Sequence, residues 1–128
     1  MTDELESMRP DPSFDAGARA DAVRALGRDG LHFLVWGGDW CGDCRRALPG
    51  FAAALAAADV PAERVRQYPV EKTPAGKVGP RVEEYGVERV PTVVVEHEGR
   101  EVARFVEDGD EPVAVALAAA LREAGVVA

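Results

Sequence analysis

The stretch Leu31-His32-Phe33-Leu34-Val35-Trp36-Gly37-Gly38-Asp39-Trp40-Cys41-Gly42-Asp43-Cys44 decides how this chain folds. Its first six residues are apolar except for one histidine, which is typical of a central strand covered on both faces. Two glycines end that strand. The residues from Cys41 to about Ala58 then have the spacing of a helix, with Pro49 inside it, where a kink is expected. The sequence therefore predicts a strand, a short connection, and a helix that opens at a cysteine.

Strands and helices alternate along the rest of the chain. We expect helices over residues 14–28, 80–85 and 112–125, and strands over residues 65–70, from residue 90, and over 101–106. Residues 71–79 are predicted to be a loop, and Glu98-Gly99 a hairpin turn. Residues 1–12 contain two prolines and little apolar surface, so we expect a mobile arm before a single domain over residues 13–128. This alternation predicts an α/β fold with helices on both faces of a sheet, to which the closing hairpin adds an antiparallel edge.

The two cysteines of the chain, Cys41 and Cys44, are three residues apart. They are too few for a disulfide framework and are expected to form a reversible dithiol. The thiolate is the reactive form of cysteine, and the unpaired N–H groups and partial positive charge of a helix N-terminus stabilise it. Cys41 is therefore the predicted nucleophile. Cys44, one turn further along, is predicted to be more buried and to resolve the mixed disulfide formed at Cys41.

Other uses of the cysteine pair stay open at this point. A zinc ion needs four ligands, and the chain offers only these cysteines with His32, at the far end of its strand, and His97, beside the hairpin turn. Two inert buried cysteines are a further alternative, as is a metal or iron–sulfur site shared by two chains. We expect no metal and no bound cofactor.

The charge balance limits the partners. The chain has 23 acidic and 15 basic residues, a net charge of -8, and only two lysines, Lys72 and Lys77. This argues against nucleic-acid binding, because a phosphate backbone is bound by a surface rich in lysine and arginine. The acid-rich, lysine-poor composition predicts either a well-solvated surface or adaptation to high salt. No apolar run reaches the roughly 18 residues of a membrane span, and the first residues lack a secretory pattern, so we expect a cytoplasmic monomer.

Three motifs carry a resemblance to a known family. The segment 39–45, DWCGDCR, resembles W-C-G-P-C-K, with Pro49 similar to a helix-kinking proline. The segment 85–92, YGVERVPT, is similar to Y-G-I-x-x-I-P-T, and 98–102, EGREV, resembles an N-G-x-x-V hairpin. In this order, over roughly residues 31–124, the motifs resemble those of the thioredoxin family.

The resemblance implies a thioredoxin-like fold with a mixed sheet of four or five strands. It implies that Pro91 is cis and faces the dithiol, and that Val90 presents its backbone to an extended substrate peptide as an added strand would. Trp40 and Gly42 are the other expected substrate contacts. The alternatives are a trans proline that opens an edge strand and a Trp40 buried in the core.

The chain departs from the family at three positions around the dithiol. Val35 stands where the family commonly has a buried aspartate, and Arg66 or Gln67 where it commonly has a lysine. Asp43 replaces the proline between the cysteines. As a first-turn acid Asp43 stabilises the helix, but its charge disfavours thiolates, so we expect it to tune the dithiol unless it is simply solvated.

These observations predict a thiol–disulfide oxidoreductase that reduces protein disulfides through Cys41 and Cys44, with a reductase as electron donor. One alternative is a glutaredoxin-like enzyme that depends on a low-molecular-weight thiol. The other is a redox sensor or binding module without turnover, which the missing buried aspartate keeps open.

Overall fold

A computed structural model describes residues 5–74, 76–106 and 111–127. In this part of the chain, the strands are β1 (Leu31–Gly37), β2 (Val65–Pro69), β3 (Glu71–Thr73), β4 (Gly76–Val78), β5 (Thr92–His97) and β6 (Arg100–Val106). Four of them form one mixed sheet in the order β2-β1-β5-β6. The strand β1 is parallel to β2 and antiparallel to β5, and β6 pairs antiparallel with β5.

The helices cover both faces of this sheet. They are α1 (Ala20–Leu26), α2 (Gly42–Ala57), α3 (Val82–Tyr85) and α4 (Val113–Glu123). On one face α1, α2 and α4 contact one another, and Phe33 of β1 meets Phe51 of α2 edge to face. On the other face Trp36 of β1 packs against Tyr68 and against Tyr85 of α3, because residues 33 and 36 of a strand point to opposite sides. The predicted α/β fold, with its central first strand and antiparallel closing hairpin, is confirmed.

The strand β1 is central because it has a partner on each edge and a helical layer on each face. Six of its seven residues are buried, His32 being the exposed one. A strand covered on both faces gains from apolar side chains at every position, which explains the continuous apolar run. Its carboxyl end delivers the chain directly to Cys41 at the start of α2.

The first helix is shorter than predicted. It begins at Ala20, not at residue 14. The Asp15 carboxylate accepts a hydrogen bond from the Ala18 N–H, and the Arg19 N–H bonds the Ala16 carbonyl, so the preceding residues form local turns. Such side-chain bonds compete with helix formation, and Gly17 weakens the helix further.

The predicted loop over residues 71–79 is partly wrong, because β3 and β4 form a two-stranded antiparallel ribbon there. The Thr73 hydroxyl donates to the Gly76 carbonyl across the turn. Gly76 has a φ of +122°, a conformation that favours glycine. The proline and glycines that suggested a loop instead connect two very short strands.

The mobile arm predicted over residues 1–12 stays a prediction, and residues 5–12 are the part of it that the structure describes. Residues Glu6–Met8 form one 3-10 turn, in which Ser7 and Met8 are buried, and Leu5 before it is only 4% exposed. We call Leu5–Met8 the N-terminal turn. It packs against α2, so apolar burial holds in place a segment whose composition suggested mobility.

Candidate active site

Cys41 occupies the N-cap of α2. Its backbone is extended, with φ -92° and ψ 120°, and its side chain is half-buried. The Cys41 Sγ accepts a hydrogen bond from the Cys44 N–H at 3.4 Å. An N-cap side chain that satisfies a free N–H of the first helical turn is the arrangement expected at this position. The structure therefore places Cys41 where the sequence predicted, at the N-terminus of the helix.

Cys44 lies behind Cys41 and is fully buried, as predicted. Both side chains are free thiols. Burial is the largest of the effects that raise the pKa of Cys44 to about 12, and Cys41 and the Asp39 carboxylate add to it. A hydrogen bond from the Gly38 N–H to the Cys44 Sγ, at 3.5 Å, acts in the opposite direction. At neutral pH Cys44 is therefore held as a neutral thiol.

Val90 and Pro91 complete the other side of the pair. The Val90–Pro91 peptide bond is cis, as the resemblance implied. The Cys41 thiol donates to the Val90 carbonyl, with 3.7 Å between Sγ and oxygen. The sheet makes this contact, because β5 begins at Thr92 and pairs with Trp36 at the end of β1. The structure thus brings together Cys41, Val90 and Pro91, although they are about fifty residues apart in the chain.

The two tryptophans have the different environments that the sequence predicted. Trp36 is fully buried, and its Nε1–H donates to the Pro80 carbonyl at 2.8 Å. Trp40 is 42% exposed, so the alternative of a core tryptophan is wrong. Its Nε1–H donates to the Val70 carbonyl at 2.7 Å. A Cβ on Gly38 would lie 2.3 Å from the Trp40 indole nitrogen, so the ring rests directly on a backbone without a side chain.

The two residues between the cysteines lie in the first turn of α2. Gly42 begins the helix, and Asp43 forms an ion pair with Arg46. Both side chains of this pair are substantially exposed, so its effect on stability is small. The tuning of the dithiol by Asp43 stays a prediction, as do the substrate contacts of Gly42, Trp40, Val90 and Pro91.

The position of the family's buried acid is apolar, as the sequence showed. Val35 is fully buried and lies opposite Gln67 in the parallel pair of β1 and β2. The Gln67 Oε1 accepts a hydrogen bond from the Leu5 N–H at 2.6 Å. The side chain opposite Val35 is thus a neutral amide, that of Gln67, whose oxygen already accepts a backbone hydrogen bond.

Asp39 is the site residue that the sequence reasoning missed. Its Oδ1 accepts hydrogen bonds from the Ser7 N–H at 3.0 Å and the Ser7 hydroxyl at 2.9 Å, and its Oδ2 accepts one from the Glu6 N–H at 3.1 Å. Desolvation raises the pKa of Asp39, but the bonds from Ser7 and Glu6 outweigh it and leave the pKa below its ordinary value. Leu5 and Met8, two apolar residues in a polar segment, were the signal that could have revealed this docked turn.

No cluster of three or more His, Cys, Asp and Glu side chains suited to hold a metal occurs in residues 5–74, 76–106 and 111–127. His97 pairs with Leu31 at the start of β1, at the opposite end of the strand from the cysteines. Within the same ranges, no helix is both long and apolar enough to cross a membrane.

The comparisons with known proteins are as follows. No family model matches the chain, and no curated protein matches it. Similar solved structures include a mutant thioredoxin from Halobacterium salinarum NRC-1, at 20% identity and a TM-score of 0.49, covering 98% of each chain. They also include thioredoxin O2 from Arabidopsis thaliana in the oxidized state, at 20% identity and a TM-score of 0.47, covering 94% of this chain and 96% of that one. Thioredoxin from Malassezia sympodialis has 23% identity and a TM-score of 0.45, covering 79% and 81% respectively.

The fold itself follows from the architecture of the chain. A parallel pair and an antiparallel hairpin form one four-stranded sheet, with helices on both faces. The cysteine pair begins the helix that follows the central strand, and Val90 and Pro91 lie beside its first sulfur. The chain therefore has the thioredoxin-like fold that its motifs implied.

Proposed function

We propose that this protein is a thiol–disulfide oxidoreductase that reduces protein disulfides through Cys41 and Cys44. One observation carries the proposal. The half-buried Cys41 thiol lies at a helix start beside the Val90 carbonyl, and the buried Cys44 lies directly behind it, with its N–H on the Cys41 sulfur. The Cys41 sulfur can thus contact a substrate, while the Cys44 sulfur stays buried behind it.

The reaction has two exchange steps. The Cys41 thiolate attacks one sulfur of a substrate disulfide, which forms a mixed disulfide and releases the other substrate sulfur as a thiolate. Cys44 then loses its proton and attacks the Cys41 sulfur. This breaks the mixed disulfide, forms the Cys41–Cys44 disulfide and releases the second substrate thiolate. The released thiolates take up protons, so the substrate gains two electrons and the protein dithiol loses them.

The backbone at Val90 is the proposed substrate platform. Its carbonyl faces Cys41, so an extended peptide that pairs with this segment would bring its disulfide to the nucleophile. Trp40 supports this role because its indole face is partly exposed beside the dithiol. An electron donor, either a reductase or a low-molecular-weight thiol, then restores the dithiol.

The direct test is reduction of a protein disulfide such as that of insulin. We expect turnover with the wild-type protein and a complete loss with Cys41→Ser. Cys44→Ser is the matched control, because it keeps the nucleophile but removes the resolving thiol. It is expected to accumulate the mixed disulfide and to stop.

Three outcomes would change the proposal. Turnover that survives Cys44→Ser would contradict the two-cysteine mechanism. A wild-type protein with no turnover would support a sensor or binding module instead. Regeneration by a thiol tripeptide but not by a reductase would favour the glutaredoxin-like alternative. The reduction potential gives the direction of electron flow: reductants of this kind lie near about -270 mV and strong oxidants near about -120 mV.

A further inference from the structure

The N-terminal turn lies next to the buried cysteine, at Gly37 of β1. A Cβ built on Gly37 would lie 3.2 Å from the Leu5 Cδ1 and 3.5 Å from the Cys44 Sγ. The leucine methyl group and the buried sulfur therefore both lie close to the same point of β1. Leu5 is only 4% exposed, so it is part of the apolar cover that excludes water from Cys44.

Polar contacts hold the turn in place. Both carboxylate oxygens of Asp39 accept hydrogen bonds from the turn, three in total. Ser7 is buried, and its N–H and hydroxyl both bond Asp39. A fourth bond joins the Leu5 N–H to Gln67. Bonds that involve a charged acceptor are the stronger ones, so the Asp39 carboxylate both anchors the turn and is fixed by it.

The charged groups around Cys44 are few. Cys41 and Asp39 both act on it, and both disfavour its thiolate. Arg45 acts on Asp39 and donates to its backbone carbonyl. Asp43 on the same helix is paired with Arg46. The central strand contributes only apolar or glycine positions here, Val35 and Gly37 among them. Apart from its partner cysteine, Asp39 is thus the anionic neighbour of the resolving thiol in the part of the chain that the structure describes.

We propose that the N-terminal turn is a cover over the resolving thiol, and that Asp39 is a positioning residue that, with this cover, slows the resolution of mixed disulfides. The inference rests on the proposed function. Burial by Leu5 and the fixed charge of Asp39 act in the same direction, because each disfavours the Cys44 thiolate that must attack Cys41. Undocking the turn removes the cover and frees the carboxylate, and so releases the second exchange step.

The consequence is a long-lived covalent complex with the substrate. The mixed disulfide at Cys41 persists until Cys44 loses its proton, and the turn determines how rarely that happens. Substrates or partners that displace the N-terminal turn would shorten this lifetime. The docking of the N-terminal turn is therefore linked to the second chemical step.

The first experiment measures Cys44 alone. In a Cys41→Ser background Cys44 is the only thiol of the chain, and its alkylation by iodoacetamide at neutral pH reports its thiolate fraction. Adding Asp39→Asn is expected to raise the rate about tenfold for each unit by which the pKa of Cys44 falls. The matched control is Asp11→Asn, because Asp11 also accepts bonds from the N–H and hydroxyl of a serine, Ser13, but does not act on Cys44 in the structure.

Two reagents of different size separate charge from cover. A change in ionisation alone raises the rates with iodoacetamide and with a bulky maleimide by the same factor. Leu5→Ala opens the cover and is expected to favour the bulky reagent disproportionately. Ser7→Ala, with Ser13→Ala as its control, provides a second variant in case Asp39→Asn folds poorly. Rates in Asp39→Asn, Ser7→Ala and Leu5→Ala equal to those of their controls or parent would overturn the proposal.

The second experiment measures the step itself. With both cysteines present, decay of a mixed disulfide formed with a model disulfide is expected to be faster in Asp39→Asn and Leu5→Ala than in Asp11→Asn. A decay rate unchanged in these variants would also overturn the proposal. Because the alkylation assay needs no turnover, it remains decisive if the wild-type protein reduces no disulfide. A failure of the proposed function is thereby distinguished from a failure of the cover.

Discussion

The two sides of the dithiol are built differently. On one side, Val90 and Pro91 lie beside Cys41 as part of the chain that enters β5, a strand paired on both edges within the sheet. On the other side, Leu5 of the N-terminal turn lies beside Gly37, close to which the Cys44 sulfur also lies, and Ser7 of the turn donates hydrogen bonds to Asp39. The first side is fixed by the sheet, whereas the second depends on a handful of contacts.

This difference predicts different local stabilities. Elements inside a sheet open only with the whole domain, whereas a single short turn held by a handful of contacts can open by itself. The proline side is therefore expected to stay in place throughout the catalytic cycle. The N-terminal turn is the side that can move without unfolding the protein.

The largest expected effect is on the free energy of unfolding, when each of two leucines that flank Gly37 is replaced by alanine. A Cβ on Gly37 would lie 3.0 Å from the Leu48 Cδ1 and 3.2 Å from the Leu5 Cδ1, so both side chains pack on the same point of β1. Leu48→Ala in α2 is expected to lower the free energy of unfolding by about 2–5 kcal/mol. Leu5→Ala is expected to cost clearly less, because the turn can undock and so limit the loss. Urea denaturation of both variants measures this difference.

An equal loss of unfolding free energy in Leu48→Ala and Leu5→Ala would contradict the expected difference in local stability. It would show that the N-terminal turn unfolds together with the domain and is as much part of the core as α2. Amide exchange of the turn at the global unfolding rate would support the same conclusion.

The next effect is the stability lost when either tryptophan is replaced by phenylalanine. The indole N–H groups of both tryptophans donate to backbone carbonyls in the segment between β2 and α3. Trp36→Phe leaves a cavity around a fully buried side chain and removes the indole bond to the Pro80 carbonyl, at a cost of about 1–3 kcal/mol. Trp40→Phe shortens a partly exposed side chain and loses the bond to the Val70 carbonyl, at about 0.5–1.5 kcal/mol. Thermal unfolding of both variants tests the order. A larger loss for Trp40 would mean that its ring is a structural support of the site.

The sequence predicted the proline side of the site and not the turn, for a physical reason. The motif around Cys41 and the one ending at Thr92 each specify a local geometry, and the apolar run of β1 specifies the strand between them. The contacts of the N-terminal turn join residues far apart in the chain, as between Leu5 and Gln67, which are 62 positions apart. Composition alone describes such a segment by its prolines and charges. Its docking depends on a surface that only the folded chain creates.

The same reasoning explains the smaller errors. The helix predicted from residue 14 gave way to turns held by the Asp15 side chain, and the loop over 71–79 to the ribbon of β3 and β4. In both places a few local hydrogen bonds outweigh the helix spacing or loop composition on which the predictions relied. The strands of the four-stranded sheet and the helix α2 were predicted close to their observed bounds, because apolar periodicity reports burial directly.

A smaller effect concerns alkaline pH. The pKa of Cys44 is raised in the folded protein to about 12, against about 8.5 for an ordinary cysteine. Between these values the folded state binds more protons than the unfolded state, so stability falls as pH rises. The contribution is complete below about pH 8.5, and each pH unit above it removes at most about 1.4 kcal/mol.

Denaturation of the wild type and of Cys44→Ala at several pH values isolates this contribution. The Tyr85 phenol, whose pKa is raised by burial and by Glu96, is common to both proteins and cancels in the difference. The difference in stability between the two proteins is expected to shift against the wild type as pH rises above 8.5. A constant difference would show that Cys44 is not protected from ionisation, and that the covered side of the dithiol is open to water.

The smallest effect concerns Asp39 at acid pH. The hydrogen bonds from Ser7 and Glu6 lower its pKa against the opposing effect of desolvation. A lowered pKa means that the carboxylate stabilises the folded state above the ordinary aspartate value and that this stabilisation is lost as pH falls through the folded value. Because the group is largely exposed and screened by solvent, we expect this stabilisation to be less than about 1 kcal/mol.

The loss of this stabilisation is local, so the Ser7 amide proton resonance is the sensitive probe, with the Ser13 amide on Asp11 as its control. A Ser7 titration with a midpoint at or above that of an ordinary aspartate would mean that the turn is not anchored on a charged carboxylate. Loss of the transition in Asp39→Asn, with the Ser13 transition unchanged, would assign the anchor to Asp39 itself.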